Sequence, residues 1–95
     1  MNADEVARRK HEKAKKAELH GLLRLRTDLD HTAYTFLGYS DDAKRREKVD
    51  AWMRKPATID WPAEINIARQ EGQAVRFGQA EAQQVRLLLA EHLPQ

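Results

Sequence analysis

The sequence predicts a small, mainly α protein of about four helices, with a basic helical arm at its N-terminus. Residues 3–20 consist largely of Ala, Glu, Lys and Arg, which favour helix, and neither Gly nor Pro interrupts them. Further along, residues 40–54 and 79–93 combine helix-start signals with apolar residues spaced i, i+3 and i+4. The alternative is an α+β fold in which residues of about 64–78 form a β-hairpin.

The first 20 residues differ in composition from the rest of the chain. Residues 1–26 contain eight Lys or Arg residues against four acids, although the whole chain carries a formal charge of only +2. Met1 and Val6 are the only large apolar residues before Leu19, so this segment adds little to a core. We therefore expect two parts, a basic helical arm of residues 1–20 and a single small helical domain of residues 21–95.

A helix break is expected between Gly21 and Asp28. Glycine disfavours a helix interior by about 1 kcal/mol, and Thr27 with Asp30 has the spacing of a capping box that starts a new helix. Gly38 is the expected C-terminal stop of that second helix. An apolar stripe at helical spacing contains Leu19, Leu22, Leu29, Ala33, Phe36 and Leu37.

The next helix is expected over residues 40–54. Ser40 would cap its N-terminus, the acids Asp41 and Asp42 suit the positive end of the helix dipole, and Pro56 would follow its end. Its inward residues are expected to be Val49, Trp52 and Met53.

Residues 57–78 are ambiguous. The segment that begins Asp60-Trp61-Pro62 is a good helix opening, and Gly72 could end that helix. Against this, apolar residues alternate with polar ones around positions 65–67 and 75–77, which is typical of a hairpin. Helix-forming residues dominate 61–71, so we favour helix there, with at most a short extended piece at 74–77. The last helix, 79–93, should turn inward Ala82, Val85, Leu88, Leu89 and Leu93.

The sequence contains no pattern that carries a catalytic chemistry. Asp28, Asp30 and His31 could serve as acid–base groups, but on a helix the two carboxylates point about 200° apart. No two of the four histidines have the i, i+4 spacing of a metal site, and cysteine is absent. Solvated or rim histidines are expected. We expect a non-enzymatic protein without a cofactor or metal.

Clustered cations are the best candidates for partner contacts. In the arm, Arg9, Lys13 and Lys16 share one helix face, while a slimmer face contains Ala3, Ala7, Ala14 and Ala17. The candidate partner-binding residues are Arg8, Arg9, Lys13, Lys16, Lys44, Arg45 and Lys48.

These features favour a small regulatory or binding protein that acts through protein–protein contact, with an acidic partner or a second copy of itself. The alternative is a nucleic-acid-binding protein that uses the basic N-terminal helix (residues 8–16) and the 44–48 cluster. About a third of the chain is charged, and its longest apolar run, residues 87–90, is far too short for a membrane span. We therefore expect a cytoplasmic protein that does not enter membranes. Whether Tyr34, Tyr39, Trp52 and Trp61 lie in the core or at an interface is left open.

Overall fold

The computed structural model describes residues 2–92, and in that range the protein consists of four α-helices and no strand. The predicted mainly α fold is confirmed, and the α+β alternative with a hairpin at about 64–78 is wrong. A π-helical turn (Thr32–Phe36) continues the first helix, and a 3-10 turn (Pro56–Thr58) follows the second. The helices are α1 (Ala3–His31), α2 (Asp42–Arg54), α3 (Trp61–Gln70) and α4 (Gln79–Ala90).

Helix α1 is continuous through Gly21, so the predicted break between Gly21 and Asp28 is wrong. The Thr27 hydroxyl donates to the Leu23 carbonyl at 2.9 Å, one turn back in the same helix, so Thr27 does not cap the start of a second helix. Leu25 and Leu29 are buried in the body and hold the C-terminal third of α1 in place. Tertiary packing of this kind outweighs the small helix cost of one glycine.

The N-terminal part of α1 extends beyond the body. Every residue from 2 to 20 is exposed. The Cα radius of gyration is 17.0 Å and the molecule measures 59 × 28 × 18 Å. A compact domain of this length would have a radius of gyration of about 12 Å. The excess arises because a helix of 29 residues is longer than the body against which it packs.

Gly38 ends the π-helical turn, as the sequence predicts. Its φ of +79° is a left-handed conformation that favours glycine. A Cβ at this position would also lie 2.5 Å from the backbone nitrogen of Ala74. Next to this contact, the Arg76 N–H donates to the Phe36 carbonyl at 2.7 Å. Gly38 therefore lets the 73–78 segment cross close to the end of α1.

The capping residues of α2 and α3 are both aspartates. The Asp41 carboxylate accepts from the Lys44 N–H at 2.8 Å, so the prediction that Ser40 is the N-cap is wrong by one residue. A charged acceptor at Asp41 interacts more strongly with the helix dipole than a hydroxyl does. In α3, the Asp60 carboxylate accepts from the Ala63 N–H at 3.1 Å, which confirms the predicted opening. Gly72, with φ +78°, follows the end of α3 as expected.

The core lies where all four helices and the 73–78 segment meet. Of the residues predicted to face inward on α4, Val85 and Leu89 are buried and Ala82 and Leu88 are partly buried, whereas Leu93 lies outside the described residues. Trp52 packs edge-on against Trp61 at 5.1 Å between ring centroids. The buried apolar residues are Leu25, Leu29, Ala33, Phe36, Leu37, Tyr39, Val49, Trp52, Ala68, Val85 and Leu89.

Besides the burial of Val85 and Leu89, two side-chain pairs join the turn after α4 to the C-terminal third of α1. The Arg24 guanidinium lies 3.1 Å from the Glu91 carboxylate, and His92 Nε2 lies 2.8 Å from Asp28 Oδ2. Within residues 2–92 no helix combines the length and the apolar character that a membrane span requires.

Candidate interaction surface

Three leucines on α1 are exposed where the helix leaves the body. The exposed fractions are 54% for Leu19, 46% for Leu22 and 64% for Leu23. Their i, i+3 and i+4 spacing places them side by side on one helix face, which we call the leucine face. Leu19 and Leu22 are thus members of the predicted apolar stripe that the body leaves exposed. Helix α1 continues through Gly21, and the body buries Leu25 and Leu29 but leaves these three leucines exposed.

The cations of the arm are exposed to solvent. Arg8 lies 3.9 Å from Glu12, and both side chains are more than half exposed, so this pair adds little stability. Among the described residues, no carboxylate lies within ion-pairing distance of Arg9, Lys13 or Lys16. The four alanines of the slim face, at positions 3, 7, 14 and 17, are exposed as well. The arm thus presents a basic face and a small-residue face that its own body does not cover.

In the second cluster, residues 44–48, the three candidates Lys44, Arg45 and Lys48 are already paired with carboxylates of the same chain. Lys44 Nζ lies 3.2 Å from Glu71, and Lys48 Nζ lies 2.6 Å from Glu64. These pairs join α2 to α3 and to the turn that follows it.

The remaining candidate of that cluster, Arg45, joins α2 to α1. Its guanidinium contacts Asp42 at 2.6 Å and Asp30 at 2.8 Å, and it also donates to the Tyr39 carbonyl at 2.9 Å. The hydrogen bonds to Asp42 and then Asp30 raise the pKa of this guanidinium above its ordinary value. Three of the four cations of the 44–48 cluster are thus neutralised within the chain, and only Arg46 has no carboxylate within ion-pairing distance among residues 2–92. The arm on α1 therefore offers the larger group of accessible cations.

The acid–base candidates Asp28, Asp30 and His31 do not converge. Asp28 pairs with His92 and Asp30 with Arg45, while His31 Nδ1 lies 3.4 Å from the Thr35 hydroxyl. In the part of the chain that the structure describes, no three His, Cys, Asp or Glu residues are grouped as a metal site would need. These residues therefore form separate contacts instead of one site.

His92 departs from the expectation that the histidines are solvated or at the rim. Its side chain is only 7% exposed, because the end of α4 packs it against Asp28 on α1. The two residues are 64 positions apart in the sequence. No local signal could have indicated this pair, since it depends on how α4 docks.

Two aromatic residues left open by the sequence belong to the core. Tyr39 is 0% exposed and Trp52 is 4% exposed. Within residues 2–92 the Tyr39 hydroxyl and the Trp52 indole N–H have no hydrogen-bond partner. Burial raises the pKa of Tyr39 to about 12, and the negative charge of Glu71 adds to this shift. Tyr34, by contrast, is 56% exposed, with the Arg45 guanidinium 5.1 Å from its ring centroid.

Comparison with known proteins gives no relative from which a function could be transferred: no family model, no curated protein and no solved structure matches the chain significantly.

Proposed function

We propose that this chain is a small non-enzymatic binding protein that acts through protein–protein contact, and that its contact is self-association through the leucine face. The observation that carries this proposal is the exposure of Leu19, Leu22 and Leu23 together on a helix that projects from the body. Contiguous exposed apolar residues mark interaction sites more often than isolated ones do.

The distribution of charge favours a second copy as the occupant of this face. Residues 1–26 carry a formal charge of +4, since they hold eight cations and four acids, and the total of +2 leaves −2 for residues 27–95. If two α1 helices pack antiparallel at the leucine face, each basic arm runs along the other copy's acidic body. This arrangement brings opposite charges together at both ends of the interface. A parallel pairing would instead place the two basic arms side by side.

The test is the oligomeric state of the full chain, measured by sedimentation equilibrium. We expect a dimer for the natural sequence and a monomer for the double variant Leu19→Glu, Leu23→Glu, because four buried carboxylates would replace four leucines at the dimer interface. Leu87→Glu is the matched control, since Leu87 is 61% exposed on α4 and lies outside the leucine face. A monomeric natural protein at high concentration, or a double variant that still dimerises, would refute the proposal.

A charge-reversal variant tests whether the basic arm contacts the partner's body. The triple variant Arg9→Glu, Lys13→Glu, Lys16→Glu reverses the basic face without touching a leucine. We expect the triple variant to form a weaker dimer, and we expect added salt to weaken the natural dimer as well. If the triple variant dimerises as tightly as the natural protein, the arm does not contact the partner's body.

Nucleic-acid binding by the arm is the second candidate function, favoured by Arg9, Lys13 and Lys16, which are exposed and have no carboxylate within ion-pairing distance among residues 2–92. If Arg9, Lys13 and Lys16 each neutralise a phosphate, the logarithm of affinity should fall with the logarithm of salt concentration with a slope of about −3. The assay is fluorescence anisotropy with a short DNA duplex over a salt series. The triple charge-reversal variant should lose this binding while the double leucine variant keeps it. Absence of salt-dependent binding would reject this function.

A further inference from the structure

A cleft with a volume of about 540 Å³ lies between α3 and α4. Its size falls within the range of roughly 300–1,000 Å³ that is typical of small-molecule sites. The lining is mostly apolar, with Trp61 and Ile65 from α3, Ala82 from α4, and Phe77 from the segment between them. Trp61 and Phe77 are only partly buried, so the aromatic surface is open to a ligand.

The two aromatic residues form one continuous wall. The rings of Trp61 and Phe77 are stacked, with 5.8 Å between their centroids and an interplanar angle of 24°. The opposite wall is a single face of α4, because Gln79, Ala82 and Arg86 follow the i, i+3, i+7 spacing. Ala82 is the small residue in the middle of this face and leaves space between the walls. A flat ring is the shape that such a gap accommodates best, since aromatic rings favour offset stacking.

Arg86 is the cation of the cleft. Among residues 2–92 no carboxylate lies within ion-pairing distance of it, whereas Arg24, Arg26 and Arg45 each have a carboxylate partner. Side chains on a helix lean toward its N-terminus, which directs the Arg86 guanidinium toward the turn of Ala82. The acid at the cleft is Asp60, and its carboxylate already accepts the Ala63 N–H as the N-cap of α3. The cleft thus combines an aromatic wall with one cation whose donors have no carboxylate partner.

We propose that this cleft binds a small planar aromatic carboxylate, with its ring against Trp61 and Phe77 and its carboxylate held by Arg86. A guanidinium suits this group because it can donate two parallel hydrogen bonds to a carboxylate. The inference goes beyond the proposed self-association and does not depend on it, because the cleft is lined by residues 59–86 and the leucine face lies on α1.

The experiment is isothermal titration calorimetry of the full chain with 2-naphthoate and with its neutral analogue 2-naphthylmethanol. We expect 2-naphthoate to bind, and Arg86→Gln to weaken its binding about tenfold, the effect of losing one charge-assisted hydrogen-bonded contact. The neutral alcohol should bind the natural protein and Arg86→Gln equally. Ala82→Phe should abolish binding of both compounds because the new ring fills the gap.

Two control variants distinguish loss of binding in the cleft from loss of a cation elsewhere and from loss of self-association. Arg69→Gln removes an exposed α3 cation that does not line the cleft, so it should bind 2-naphthoate like the natural protein. The double leucine variant should also bind normally, which keeps the outcome distinct from that of self-association. The proposal is overturned if 2-naphthoate shows no binding at millimolar concentration, or if it binds equally well to Arg86→Gln or to Ala82→Phe.

Discussion

Gly21 lies within α1, and Gly38 lies just after the π-helical turn that continues α1. Substitution by alanine should stabilise the protein at Gly21 and destabilise it at Gly38. A Cβ at Gly21 meets no atom within 4 Å, so Gly21→Ala should raise the free energy of unfolding by about 1 kcal/mol through helix propensity. Gly38→Ala should lower it by about 2 kcal/mol or more, because φ is +79° and the new Cβ would lie 2.5 Å from Ala74 N. Urea unfolding followed by circular dichroism measures both. Equal effects of the two substitutions would contradict this description of α1.

Tyr39 should make the protein sensitive to strongly alkaline pH. Burial raises the pKa of Tyr39 to about 12 from its ordinary value of 10.0, so the unfolded chain loses this proton first as the pH rises. The contribution to stability is complete below pH 10 and is lost between pH 10 and 12, at up to about 1.4 kcal/mol per pH unit.

Comparison of Tyr39→Phe with the natural protein isolates this effect. The variant should lose stability less steeply than the natural protein in the same pH window. Near neutral pH it should be as stable or more stable, since it removes a buried hydroxyl without a hydrogen-bond partner. The control is Tyr34→Phe, because Tyr34 is exposed. Identical alkaline unfolding curves for Tyr39→Phe and the natural protein would rule the effect out.

At the scale of the element, the arm is the segment whose removal should matter least to the body. Residues 2–17 are exposed and contain one large apolar side chain, Val6, so deletion of residues 1–17 loses few apolar contacts. We expect Tm to change by only a few degrees, the usual scale for about 1 kcal/mol in a domain of this size. Differential scanning calorimetry measures this. A truncated chain that no longer folds would show that the arm is integral to the core or to an obligate dimer.

At the scale of the whole molecule, the straight α1 gives the monomer an elongated shape. The double variant Leu19→Glu, Leu23→Glu should be monomeric, so its small-angle X-ray scattering reports this shape directly. We expect a radius of gyration near the 17.0 Å of the structure. A value close to the roughly 12 Å of a compact domain of this length would mean that the arm folds back onto the body.

Several features of this protein depend only on neighbours within one or two helical turns, and the sequence was enough to predict them. It predicted the mainly α class, the opening of α3 at Asp60, and the glycine stops at Gly38 and Gly72. These features follow from capping side chains, backbone conformation and apolar spacing, which act over three to seven residues. The N-cap of α2 was predicted one residue too early, because Ser40 and Asp41 are adjacent and either side chain can cap a helix.

Which surfaces are covered and which are exposed depends on how the helices pack together. Continuity of α1 through Gly21 depends on the packing of Leu25 and Leu29, and that continuity in turn exposes the leucine face. The partly buried Asp28–His92 pair likewise depends on how α4 docks on α1.

Tertiary packing also determines which carboxylates pair with Lys44, Arg45 and Lys48, and it forms the aromatic wall of the cleft. Lys48 meets Glu64 across 16 positions, and Trp61 stacks on Phe77 across the α3–α4 connection. Such contacts join residues far apart in the chain, and their energies depend on how the helices dock, which a periodic pattern in one segment does not encode.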